Sequence, residues 1–194
     1  MRLTLGKIGW GVVGTLFLMT PLWASTATAE GKAENTPTYN WAYAEEASEL
    51  LVEIKGLSTQ LAEDSHYLDL HSRWNQLNWK SHASHLEQIR TDINAMGERL
   101  QRLQDIYSMI APWQQEAVDR ITPKAAALAT QTEAAIGHLN EYQGRTWTPS
   151  YGDPVRAMSD HAEEIRVDVR MFLDYANTSD QLKGLEKQIE FAGA

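Results

Sequence analysis

The 194 residues contain no cysteine. Disulfides, thiolate metal centres and covalently attached haem are thereby excluded, and the fold must be held by packing alone. Phenylalanine and proline are scarce, three and six respectively, and alternating strand-like patterns are almost missing, so a sheet protein is not expected. Basic residues number 17 against 26 acidic ones. Nucleic acid and anionic membrane faces both require a basic patch that displaces counterions, so neither is an expected partner. Also absent are His-Glu-x-x-His, Gly-x-Ser-x-Gly and a phosphate-cradling glycine loop, and no motif points to an enzyme.

What is present starts with an export signal. Arg2 and Lys7 precede the apolar run Ile8 to Trp23, Pro21 breaks that run, and Ala27-Thr28-Ala29 supplies a small-x-small cleavage site. The run is short for a spanning helix and ends in small residues, so no stable membrane anchor is expected after cleavage. Removing residues 1–29 leaves 165 residues with 15 basic and 26 acidic side chains, a formal charge of −11. Residues 30–38 read as a flexible leader and 39–194 as a single helical domain. The expected compartment is the bacterial periplasm, or secretion beyond it.

Four amphipathic segments follow the leader. Tyr43, Ala47, Leu50, Ile54, Leu57 and Leu61 form the first apolar stripe. The second is the most regular, with Leu86, Ile89, Ile93, Met96, Leu100, Leu103, Tyr107 and Ile110 at alternating steps of three and four. Val118, Ile121, Ala125, Leu128, Thr132, Ala135 and Leu139 form the third, and Met158, Ala162, Ile165, Val169, Phe172 and Ala176 the fourth. Pro112 suits a first helical position, Asp153-Pro154 suits the start of the fourth helix, and Ser84 with Glu87 suits a capping box. Thr178 with Gln181 suits another capping box, where the fourth stripe stumbles near Ser179. Residues 66–78 read as a folded connection. The expected fold is all-α: an up-down-up-down antiparallel four-helix bundle, kinked near Pro123, with a short C-terminal helix after Ser179.

That topology carries all six histidines to one third of the bundle. Glu63-x-x-His66 has the spacing of di-iron bundles, but the second such motif and the seam glutamates are missing, so no di-iron centre follows. The alternative of a divalent transition-metal site rests on His82, which continues the second seam inward, with His85, His138 and His161 as helpers. No cofactor is otherwise expected; His82 and Met158 at similar height would suit haem, but a seam methionine is usually core filler. Tryptophans 41, 74, 79, 113 and 147 all fall near predicted helix ends, where flat rings close a core or build a stacking pocket. The leading expectation is a non-enzymatic bundle that presents helix faces to a protein partner or to a second copy of itself, as a homo-oligomer.

Overall fold

In a computed structural model, which describes residues 40–74, 78–143 and 145–192, the chain forms four helices packed against one another. They are α1 (Trp41–Trp74), α2 (Trp79–Asp105), α3 (Pro112–Glu141) and α4 (Pro149–Ala192), with a 3-10 turn at Tyr107–Met109 between α2 and α3. The expected export signal and leader lie outside the described residues.

The apolar stripes become the core. Every apolar residue of the second stripe from Leu86 to Leu103 is buried, as is the entire third stripe and the fourth from Met158 to Phe172. In α1, Leu51 joins Ala47, Ile54 and Leu61 inside, while Leu50 and Leu57 pack half-buried against the same core. Burying an aliphatic side chain of this size stabilises the folded chain by about 1.5–3 kcal/mol, so this shared interior holds the four helices together.

Polar contacts fix how the helices align. Arg99 Nε donates to Glu53 at 2.9 Å and Arg102 Nε to Glu46 at 2.6 Å, so α1 partners recede as α2 advances. Asp168 of α4 accepts from Arg120 and Lys124 of α3 at 3.0 and 2.6 Å. The upper end is tied where the Asn40 amide donates to the Met109 carbonyl, and where the Gln114 side-chain amide donates to the Ala44 carbonyl at 2.7 Å. At the other, lower end α2 and α4 meet where the His82 ring nitrogen lies 2.9 Å from the Tyr151 hydroxyl.

Several boundaries depart from the expected ones. α1 does not stop near Leu68: the seam continues through Leu61, Ser65, Leu68 and Ser72, all buried, and carries the helix to Trp74. No separate element is needed in most of 66–78. α2 opens at Trp79, directly after the expected connection, but its cap is Asn78 and not Ser84: the Asn78 side-chain oxygen accepts from the Lys80 and Ser81 amides at 2.9 and 3.0 Å. α4 opens at Pro149, not Pro154, since proline at the first position already suits a helix start. α3 does begin at Pro112, and it runs through Pro123 without interruption.

The expected break near Ser179 is absent, and α4 is one helix of 44 residues. The Thr178 hydroxyl donates to the Asp174 carbonyl at 2.8 Å, a bond inside a helix rather than a cap. The stumble in the stripe has another cause, which is a change of face. Through Phe172 the apolar residues face the core; Ala176 and Ser179 continue that series half-buried, and the positions after them, Lys183, Glu186 and Glu190, are charged and exposed. The apolar residues of the last turns sit one position earlier.

Candidate functional site

Two features stand out from packing alone: a buried histidine at the lower end, and an uncovered apolar face along α4.

His82 lies in the first turn of α2, fully buried on the seam. Its Nδ1 is 2.9 Å from the hydroxyl of Tyr151, which is also fully buried, and the two rings meet edge to face at 5.4 Å. Burial raises the Tyr151 pKa, so the hydroxyl stays protonated and donates to Nδ1. Its Nε2 is buried and, among the described residues, has no hydrogen-bond partner. Burial first, then the nearby His85 and His71, pull the His82 pKa down to about 4, so its ring is neutral at neutral pH.

The other histidines have separate tasks. His138 Nε2 is 3.1 Å from the Arg145 carbonyl and 3.3 Å from the Thr148 hydroxyl, which ties the α3–α4 connection to α3. His85 stands half-buried with its ring 4.9 Å from Tyr67, and His71 donates from Nδ1 to the Tyr67 carbonyl at 2.7 Å. His161 lies on α4 with Nδ1 3.8 Å from Glu164. His82 and His138 are joined through Tyr151, whose ring lies 5.7 Å from that of His138, and His71 and His85 through Tyr67, whose ring lies 3.9 and 4.9 Å from theirs. Among the described residues no three histidine, aspartate or glutamate side chains are placed to hold one metal ion.

Sequence reasoning missed Tyr151, having placed it in a loop. Its signal was available: Tyr151, Val155 and Met158 extend the fourth stripe backward by four and three. Asp168, beside the seam residue Val169, is likewise buried and paired with two cations, Arg120 and Lys124. The expected stacking pocket of Trp74, Trp79 and Trp147 does not include Trp147, which is exposed; Trp79 and Trp113 instead pack half-buried on the core.

The second feature is larger. Val167, Met171, Tyr175, Leu182, Leu185 and Ile189 recur at helical spacing, with Thr178 filling the one gap, and each of the six apolar residues is between 43% and 71% exposed. One residue of rotation, about 100°, separates this stripe from the core seam. Its lower part runs along the flank of the bundle. Its upper part projects beyond it: Phe172 lies level with Arg120, so α4 passes Pro112, the first residue of α3, at about residue 180. The remaining dozen residues extend on the order of 18 Å past that level. A helical segment that short is marginal in water without a neighbour.

No protein-family profile, curated protein or solved structure matches this chain. Among the described residues, no helix is long and apolar enough to cross a membrane.

Proposed function

We propose that this is an exported, non-enzymatic bundle that works by presenting one helix face, the outward stripe of α4, to a protein partner. The observation that carries the reading is the stripe itself. Six apolar side chains in register over 23 residues are a recognition surface in the helix-in-groove manner, and scattered single exposed residues would not be. The sequential pairings between helices support an antiparallel up-down-up-down arrangement, and Pro123, which cannot donate its backbone hydrogen bond, is where α3 would bend. That arrangement gives the stripe a rigid base for its lower half and a free upper half. Residues 1–29 support export to the periplasm or beyond, where a chain lacking cysteine depends wholly on its core.

A chain ending after Ser179 tests the reading. The core is untouched by that deletion, so helicity of the remaining residues and melting temperature should persist while association with any partner is lost. Association that survives the deletion would place the working surface elsewhere.

A further inference from the structure

We infer that the outward stripe of α4 is covered by the same stripe of a second copy, the two helices running in opposite directions. The inference rests on the stripe being a recognition surface and names what it recognises. In an antiparallel pair, Met171 comes level with Ile189 of the other copy, Tyr175 with its Leu185, and Thr178 with its Leu182; the same three layers repeat across the twofold axis near Asp180. Every apolar side chain from Met171 to Ile189 gains a partner, and the small Thr178 falls opposite a leucine. Alternation of larger against smaller residues is what lets facing helices interdigitate.

Charge favours this direction. The residues beside the stripe on one edge are Asp174, Gln181 and Gln188, and on the other Ser179 and Glu186. Run antiparallel, Gln181 faces Gln181, Asp174 faces Gln188 and Ser179 faces Ser179, so no two like charges meet. Glu186 arrives at the level of Phe172, where the exposed-side guanidinium of Arg120 lies 5.6 Å over the ring. A parallel pair would set two acidic bundles, each of net charge −9 before any cleavage, side by side along their length; the antiparallel pair places them end to end, so that most of their charges are separated by more than a Debye length. It also lays each free overhang on the flank of the other bundle, on a helix already held in place. Opposed helix dipoles add a smaller favourable contribution.

The absence of cysteine makes introduced thiols clean reporters. Under mild oxidation, Thr178→Cys protein mixed with Leu182→Cys protein should give covalent dimer at about tenfold the yield of Leu182→Cys alone, because only the mixed pair is within disulfide reach. Met171→Cys with Ile189→Cys should behave likewise. In sedimentation the purified wild type should be a dimer at micromolar concentration, and Leu185→Lys a monomer of unchanged helicity and melting temperature. Cross-linking of Leu182→Cys to itself, with no mixed disulfide formed to Thr178→Cys, would overturn the direction. A wild type that stays monomeric throughout would overturn the second copy. If Leu185→Lys then still abolishes binding of a different protein, the stripe remains a recognition surface; if it changes no binding at all, both readings fall.

Discussion

His82 is the side chain whose behaviour is most constrained by its surroundings. Its ring is neutral in the folded chain down to about pH 4, whereas in the unfolded chain it gains a proton near its ordinary value of about 6.5. Between those limits the unfolded chain binds more protons, so stability is complete above about pH 6.5 and declines as the pH falls towards 4. The expected loss from this group is on the order of 3 kcal/mol. Melting curves across that window should therefore slope less for His82→Gln than for the wild type, and equal slopes would refute the assignment. Tyr151→Phe leaves Nδ1 buried without a donor and should destabilise by about 1–3 kcal/mol in denaturant titration. Asp168→Asn weakens two ion pairs whose cations remain partly hydrated, so its cost should also be about 1–3 kcal/mol. The inward placement of His82 was legible, because it continues the Leu86 stripe by a step of four. Its partner was not, because the hydroxyl that meets it comes from a helix 69 residues away.

Among the elements, α2 and α3 were the easiest to read, since each has one apolar stripe that stays on one face from end to end. α1 and α4 were harder for opposite reasons. α1 buries Ser58, Ser65 and Ser72 on its seam, and small polar residues at seam positions give no hydrophobic signal even though they are fully enclosed. α4 carries two stripes on different faces, and the handover between them resembles a helix end. Both helices are consequently longer than their patterns suggested. Gly56 sits exposed in the middle of α1, with nothing within 4 Å of where a Cβ would stand. Replacing it with alanine should stabilise the bundle by about 0.5–1 kcal/mol through reduced backbone freedom in the unfolded chain, read as a rise in the denaturation midpoint.

For the molecule as a whole, export is the prediction that stands apart from the bundle. Produced in a bacterial host, the mature product should begin at Glu30 by N-terminal sequencing and appear outside the cytoplasm; a chain that keeps Met1 inside the cell would refute it. By itself the sequence determined that the chain is helical and that four apolar stripes exist, because periodicity is a local property that needs no neighbour to be visible. It also determined the acidic charge and the absence of any covalent cross-link. Only the tertiary structure decided which residues those stripes meet. It divided the histidines among separate contacts, gave His82 its hydroxyl partner, and left one stripe on α4 facing water, because whether an apolar face is covered depends on where the other helices end.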